Sequence, residues 1–199
     1  MDFKVLFFAV FSYLLGGIPS GYLIAKYLRG IDIREYGSGN PGAANVYRVV
    51  GKWAGWATMG LDTAKGFIPV MMARWYYGDR YDLLVSCGAL AIFGHIWTIF
   101  LKFRGGKGVA TSAGVFAALL PLPTFLTFLV FITAVALSGH ISVGSILAAV
   151  AMPFLSLVLN SPAPLTLMSI IISGLVLFKH IPNMRRLFGG KELFLKNGR

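Results

Sequence analysis

Charged residues are scarce in this chain, and acidic residues are the scarcest. Only 13% of its 199 residues are charged and seven are Asp or Glu, whereas about 25% of the residues in a typical soluble domain are charged. The hydrophobic fraction is 57% and the mean hydropathy is +0.75. This composition excludes an ordinary soluble protein and predicts an all-α, polytopic membrane protein. We expect one membrane-embedded domain over residues 1–199, without a separate soluble domain.

Cysteine is nearly absent as well. The single residue Cys87 excludes an intramolecular disulfide and is expected to serve in packing. No internal repeat is visible, which argues against a transporter built on inverted repeats. The net charge of +11 would suggest a nucleic-acid partner in a soluble protein. In a membrane protein it follows instead from the Lys and Arg of cytoplasmic loops, so we expect no nucleic-acid partner.

The apolar residues form six long stretches. These are Val5–Leu28, Trp53–Tyr77, Leu83–Leu101, Val109–Leu137, Ile141–Leu159 and Leu165–Phe178. Pro19 and the surrounding glycines predict a kink within the first stretch. Asp62 and Lys65 lie three positions apart on one face of the second stretch, where unpaired charge is expensive, and this spacing predicts a buried ion pair. His95, inside the third stretch, is expected to donate a hydrogen bond within the helices.

Basic residues mark three segments as cytoplasmic. They are Lys26, Arg29, Arg34, Arg48 and Lys52 after the first stretch, Lys102, Arg104 and Lys107 after the third, and Lys179, Arg185, Arg186, Lys191, Lys196 and Arg199 in the tail. An even number of crossings must join Lys107 to the tail. Residues 109–137 are therefore predicted to be two spans that turn at residues 121–123, with a tight turn at residues 138–140. The result is seven helices, with the N-terminus outside and the C-terminus in the cytoplasm. The alternative is five spans, with the last four merged into two longer or re-entrant elements.

Residues 37–48, the first motif, concentrate glycine, hydroxyl, amide and guanidinium groups between two apolar stretches. Glycines allow sharp turns that present backbone N–H groups. Asn40 and Pro41 predict a helix N-cap followed by the first helical residue, and Arg48 adds a permanent charge. The motif indicates an anion site beside the membrane, although a glycine-rich turn with an arginine that sets topology would have a similar sequence.

Residues 103–111, the second motif, read FRGGKGVAT. Successive glycines before a helix can form a nest of N–H groups, and Arg104 and Lys107 favour a phosphate there. The spacing of a P-loop is absent, so nucleotide hydrolysis is not indicated. A basic cytoplasmic loop without a ligand is the alternative.

Residues 179–192 are the third motif. A helix is predicted to end before Pro182, leaving His180 and Asn183 near the membrane surface. The alternative is a basic anchor for lipid headgroups. None of the three histidines is followed five positions later by aspartate, so the HxxxxD acyltransferase dyad is absent. The GxSxG elbow and an acidic metal cluster are absent too.

The three motifs together, GSGNPGAANVYR, FRGGKGVAT and KHIPNMRRLFGGKE, resemble those of the PlsY-type bacterial glycerol-3-phosphate acyltransferases. The resemblance covers nearly the whole chain. It implies transfer of a fatty acyl group from acyl phosphate to the 1-position of sn-glycerol 3-phosphate, giving lysophosphatidic acid and phosphate, the first step of phospholipid biosynthesis. It also implies the bacterial inner membrane, a cytoplasmic active site and no cofactor. The soluble enzyme that makes acyl phosphate is a candidate partner.

The resemblance also implies residue roles. The catalytic residues would be Ser38, Arg48, His180 and Asn183. The substrate-binding residues would be Gly37, Gly39, Asn40, Asn45, Arg104, Gly105, Gly106, Lys107, Gly108, Lys179 and Glu192. No residue is expected to bind a metal. The competing hypothesis is a transporter or channel for a phosphorylated solute, which basic loops and an intramembrane Asp62–Lys65 pair would also suit.

Overall fold

The computed structural model describes residues 3–194. Within this range the chain is helical and contains no β-strand. The bounds of the α-helices are α1 Phe3–Gly17, α2 Ser20–Arg29, α3 Ala43–Val49, α4 Lys52–Tyr77, α5 Tyr81–Ile96, α6 Val109–Leu119, α7 Pro121–Ser138, α8 Ile141–Val158, α9 Ala163–Lys179 and α10 Ile181–Phe188. The helices belong to two compact units that divide after Leu119. The single domain stays a prediction, and Lys196 and Arg199 of the basic tail lie outside the described residues.

The first unit is built around α4, which packs against α6, α5 and α3, while α1 lies along α5. Glycines allow the backbones of α4 and α6 to touch. A Cβ atom at Gly66 would collide with the carbonyl oxygen of Thr111, and one at Gly114 would collide with that of Thr63. Such close approach is typical of helix packing in membranes, where small residues replace the hydrophobic effect as the source of tight contact.

The kink predicted in the first stretch is confirmed as a break between α1 and α2. Pro19 has no N–H group, so the helical hydrogen bonds cannot continue through it. Two side chains from elsewhere in the unit bind the carbonyls at the break. Thr98 Oγ1 donates to the carbonyl oxygen of Gly17 at 2.6 Å, and Lys65 Nζ donates to that of Ile18 at 2.6 Å.

Four helical segments among the described residues are long and apolar enough to cross a membrane. They are Phe3–Arg29, Tyr81–Leu101, Pro121–Ser138 and Ile141–Val158, and a fifth is added if α9 and α10, which meet at a bend of 52°, are one span. Helix α6 has only 11 residues and is about 16 Å long, against a hydrocarbon thickness of about 30 Å. The count of seven spans is therefore not confirmed by length and composition and stays a prediction.

The second unit consists of α7 to α10, in which α7 packs on α8 and α8 on α9. The division of residues 109–137 into two helices is confirmed, although the break falls at Leu120 and α7 begins at Pro121. The predicted tight turn at residues 138–140 is also confirmed. Gly139 has a φ of +73°, and the backbone N–H of His140 donates to Ser138 Oγ at 3.2 Å.

Candidate active site

The first motif follows a short 3₁₀ turn at Ile33–Glu35 and consists of a loop, residues 37–42, and most of helix α3. The predicted start of this helix is wrong, because Gly42 and not Asn40 occupies the N-cap position. The Oδ1 atom of Asn40 accepts a hydrogen bond from the N–H of Gly42 at 2.9 Å. Asparagine favours such a local turn, which here delays the helix by two residues.

Asn45 holds this loop together from the first turn of α3. Its side chain is 1% exposed. Its Oδ1 atom accepts from the N–H of Ser38 at 2.9 Å, and its Nδ2 atom donates to the carbonyl oxygens of Ile33 at 3.1 Å and Tyr36 at 2.9 Å. Gly37 lies against the same amide with a φ of +59°, where a Cβ atom would collide with Oδ1. Asn45 thus fixes the backbone that carries Ser38, while its predicted role in substrate binding is untested.

The two residues of this motif predicted to be catalytic lie at opposite ends of it. Ser38 is half-buried in the loop. Arg48 lies in the last turn of α3, and its Nε and Nη1 atoms are buried. A guanidinium keeps its charge even where part of it is buried, so Arg48 is suited to an anionic group.

The second motif begins with two residues in the left-handed region, Lys102 and Phe103, with φ of 53° and 61°. The N–H of Gly105 donates to the carbonyl oxygen of Ile96, and that of Gly106 to the carbonyl oxygen of His95, each at 3.1 Å. The N–H groups of Gly105 and Gly106 therefore do not contribute to the predicted nest, because they bind the end of α5.

The donors that remain for an anion in this motif are at the start of α6. Gly108, with a φ of +86°, precedes Val109, the first residue of the helix. The first N–H groups of a helix have no intrahelical partner and carry the positive end of its dipole. Lys107 is half-buried beside them, while Arg104 is exposed. The positive charge of Lys107 and the start of a helix after Gly108 are as predicted. The N–H groups of Gly105 and Gly106 point towards α5, which was not predicted.

The third motif, in the second unit, bends the chain sharply. Helix α9 ends at Lys179, as predicted, but α10 starts at once at Ile181. His180 is the cap of both helices and is 2% exposed. Its Nδ1 atom lies 2.8 Å from the carbonyl oxygen of Val176. A carbonyl only accepts, so Nδ1 carries the proton and Nε2 is the basic atom of the neutral ring.

Asn183 and Glu192 are brought together at the end of the same motif. Both are buried. Asn183 Nδ2 donates to Glu192 Oε1 at 2.6 Å, and Arg186 Nε donates to Glu192 Oε2 at 2.7 Å. Burial of the Glu192 carboxyl works against its ionisation, but the hydrogen bonds from Asn183 and Arg186 outweigh it and hold the pKa of Glu192 below its usual value. The carboxylate organises this motif, a role that the sequence did not reveal.

Over the described residues this is an all-helical membrane protein, with buried amide groups in the short helices α3 and α10 and a buried histidine where α9 meets α10. The chain belongs to the glycerol-3-phosphate acyltransferase family, whose profile matches residues 6–190. The glycerol-3-phosphate acyltransferase of Geotalea daltonii is 45% identical over 93% of this chain and 94% of its own length. Glycerol-3-phosphate acyltransferase 2 of Moorella thermoacetica is 42% identical over 92% and 93%.

Two solved structures of PlsY (YgiH), an integral membrane glycerol 3-phosphate acyltransferase, have the same fold. One is the glycerol 3-phosphate form, with a TM-score of 0.91, and the other is the lysophosphatidic acid form, with a TM-score of 0.88. Each is 38% identical and aligns with 96% of this chain and 95% of its own chain. The resemblance found in the motifs is confirmed, and the transporter hypothesis gains no support from these relatives.

Proposed function

We propose that this protein transfers a fatty acyl group from acyl phosphate to the 1-hydroxyl of sn-glycerol 3-phosphate. The products are lysophosphatidic acid and inorganic phosphate, and the reaction is the first step of phospholipid biosynthesis. The observation that carries this proposal is the likeness to PlsY, which has been solved in forms named for glycerol 3-phosphate and for lysophosphatidic acid.

The choice of acyl phosphate as donor is supported by the chemistry of the motifs. Acyl phosphate is an activated mixed anhydride, so it needs alignment and charge stabilisation more than a strong base. Cations occur in each motif, Arg48 in the first, Lys107 in the second and Lys179 in the third, and they suit a reaction in which both substrates carry phosphate. The lack of an HxxxxD dyad fits the same donor.

In the proposed step, the 1-hydroxyl oxygen of the acceptor attacks the acyl carbonyl carbon. A carbon–oxygen bond forms to the acceptor, the bond between the carbonyl carbon and the phosphate oxygen breaks, and phosphate leaves. Lys107 and Arg104, with Gly108 and the N–H groups at the start of α6, would bind the acceptor phosphate, while Gly105 and Gly106 would anchor this segment to the end of α5. Ser38, Arg48, His180 and Asn183 would contact the acyl phosphate and the reacting groups. Gly37, Gly39, Asn40, Asn45, Lys179 and Glu192 would complete the substrate-binding set.

The hydroxyl proton has two possible acceptors, His180 Nε2 and a phosphate oxygen of the substrate. The contact between His180 Nδ1 and the carbonyl oxygen of Val176 leaves Nε2 as the basic ring atom. The phosphate of the donor is bonded to the reacting carbonyl carbon, so one of its oxygens can accept the hydroxyl proton directly. We therefore assign the hydroxyl proton to an oxygen of the acyl phosphate, and the protonated phosphate then leaves.

The proposed location is the bacterial inner membrane, with the basic loops in the cytoplasm. Seven crossings are proposed, with the N-terminus outside and the C-terminus inside. Helices α1 and α2 together form the first, and α4 to α9 form one each. The short α6 would cross only where other helices shield its ends. A soluble enzyme that makes acyl phosphate would deliver the donor from the cytoplasm.

The test is turnover by the purified protein in lipid nanodiscs. Acyl phosphate with glycerol 3-phosphate should give phosphate and lysophosphatidic acid in equal amounts, and neither substrate alone should do so. Acyl-CoA should not replace acyl phosphate. An Arg48→Ala preparation is the control for contaminating activity. Turnover with acyl-CoA but not with acyl phosphate would refute acyl phosphate as the acyl donor. Phosphate release that does not require glycerol 3-phosphate would refute acyl transfer to that acceptor.

A further inference from the structure

Three polar side chains to which no role in the reaction was assigned are buried together in the first unit. Asp62, Lys65 and His95 are 3%, 5% and 8% exposed. Lys65 Nζ lies 2.8 Å from Asp62 Oδ1, so the predicted ion pair is confirmed. His95 Nδ1 lies 3.8 Å from the same oxygen. We call these three residues the buried polar network.

One side of the network meets the break between α1 and α2. Lys65 Nζ binds the carbonyl oxygen of Ile18 in addition to Asp62. Asp62 thus neutralises the Lys65 ammonium group that donates to the carbonyl oxygen at the break. The ion pair in turn holds the Asp62 carboxylate at a fixed point between α4 and α5. A charge so deeply buried needs a fixed partner, because its desolvation is costly.

The other side of the network meets the second motif. Gly106 donates its N–H to the carbonyl oxygen of His95, and Gly105 donates to that of Ile96. Gly106 also lies directly on the imidazole, since a Cβ atom there would collide with His95 Nε2. The start of the glycine segment is therefore in contact with both the backbone and the ring of His95.

The network and the glycines line a cavity of about 10 Å³, which has room for about one water molecule. Gly105, Gly106, Asp62, Lys65 and His95 all contribute to its walls. The network therefore contacts the glycine segment at the wall of this cavity.

We propose that Asp62 and His95 are positioning residues for the binding of glycerol 3-phosphate. Asp62 faces the imidazole of His95 across 3.8 Å, and His95 sets the place of Gly106 through its carbonyl oxygen and its ring, and hence of Lys107 and the start of α6. Lys65 supplies the countercharge. This inference rests on the proposed function, in which the second motif binds the phosphate of the acceptor.

The test compares two double variants that carry no charge at either position. Replacement of a buried ion pair by apolar residues is often tolerated, whereas removal of one partner leaves an uncompensated charge. Asp62→Leu/Lys65→Met removes the polar partner of His95, and Asp62→Asn/Lys65→Met keeps a side-chain oxygen there. We expect the Leu form to raise KM for glycerol 3-phosphate about tenfold and the Asn form about threefold or less, with kcat and the KM for acyl phosphate nearly unchanged.

Asp79→Asn is the matched control. It removes the negative charge that faces Arg74 at 2.7 Å at the far end of α4, and it should leave all three constants unchanged. Equal KM values for glycerol 3-phosphate in the two double variants would overturn the inference. So would a rise that the Asp79→Asn variant shares.

Binding of glycerol 3-phosphate without donor separates this inference from the proposed function. The ligand should raise the Tm of the wild type at about tenfold lower concentration than that of the Leu form. If the two proteins differ in this Tm response but acyl phosphate is not used, the proposed donor is refuted and the positioning role is supported. If acyl phosphate is used and the Tm response is the same in both proteins, only the positioning role is refuted.

Discussion

Asn183 donates a hydrogen bond of 2.6 Å to Glu192, nine positions further along the chain. Arg186 binds the other carboxylate oxygen at 2.7 Å. A single carboxylate therefore fixes an amide predicted to be catalytic and the helix α10 that carries it. Charge-assisted hydrogen bonds of this length are stronger than neutral ones, so the arrangement is rigid.

Glu192 should make the stability of the protein depend on pH in the acid range. Its folded pKa is below its usual value of 4.5, so its contribution is complete above about pH 4.5 and is lost as the pH falls through the lowered pKa. Glu192→Gln keeps an acceptor for Asn183 but loses the charge facing Arg186. We expect the Tm of the wild type to fall more steeply than that of the variant between about pH 5 and about pH 3. Equal slopes would contradict the lowered pKa.

Asn45→Ala should loosen the loop that carries Ser38. The variant loses three hydrogen bonds, and each group left buried without a partner costs about 1–3 kcal/mol. We expect a lower Tm and a large loss of kcat, measured as phosphate release in nanodiscs. Asn40→Ala, which removes one hydrogen bond at the same loop, is the comparison and should have the smaller effect on both. A reversed order would show that Asn45 is not the main anchor.

Lys107→Ala and Arg48→Ala should change different kinetic constants. Lys107 is proposed to bind the acceptor phosphate, so its loss should chiefly raise KM for glycerol 3-phosphate, by about tenfold or more. Arg48 is proposed to act on the reacting groups, so its loss should abolish turnover. Initial rates at varied concentrations of each substrate distinguish the two. Unchanged acceptor kinetics in Lys107→Ala would refute the assignment of that phosphate.

His180→Gln should lower kcat without changing the shape of its pH dependence. If a substrate phosphate takes the hydroxyl proton, removing the imidazole removes a contact and not the base. The measurement is kcat from about pH 5.5 to about pH 9, a range that contains the usual histidine pKa of about 6.5. Loss of an ionisation near that value in the variant would show that His180 is the base.

Leu122→Cys should be labelled only from outside the cell if seven spans are present. Leu122 lies in the first turn of α7 and is 55% exposed. The experiment uses a Cys87→Ala background and a thiol reagent that does not cross membranes. Labelling in intact cells supports a turn on the outer side, and labelling only after the cells are opened would favour five spans.

Local spacing predicted several features correctly, because it depends on helix geometry alone. Asp62 and Lys65 are paired as an interval of three residues requires, and Pro19 interrupts the first stretch. The boundaries of α4 and α8 agree with the apolar stretches to within a residue or two. In each case the decisive contacts are close in the sequence or follow from hydrophobicity.

Features that depend on longer-range contacts were missed. The N–H groups of Gly105 and Gly106 donate to carbonyls at the end of α5, and nothing in the second motif indicates that direction. One local feature was also missed, since Asn40 starts a turn instead of a helix because its side chain accepts from the N–H of Gly42. The role of Glu192 depends on the chain folding back onto α10, which no periodicity predicts.

The break between α1 and α2 has a consequence for how the protein is made. The carbonyl groups of Gly17 and Ile18 receive hydrogen bonds from Thr98 and Lys65, which are synthesised much later. In hydrocarbon, such carbonyls are costly when they lack a donor. A nascent chain that ends before Thr98 therefore lacks the side chain that donates to the carbonyl oxygen of Gly17. The amino-terminal segment reaches its final state only after α4 and α5 have left the ribosome and entered the bilayer, so insertion and helix assembly are coupled from the first span onward.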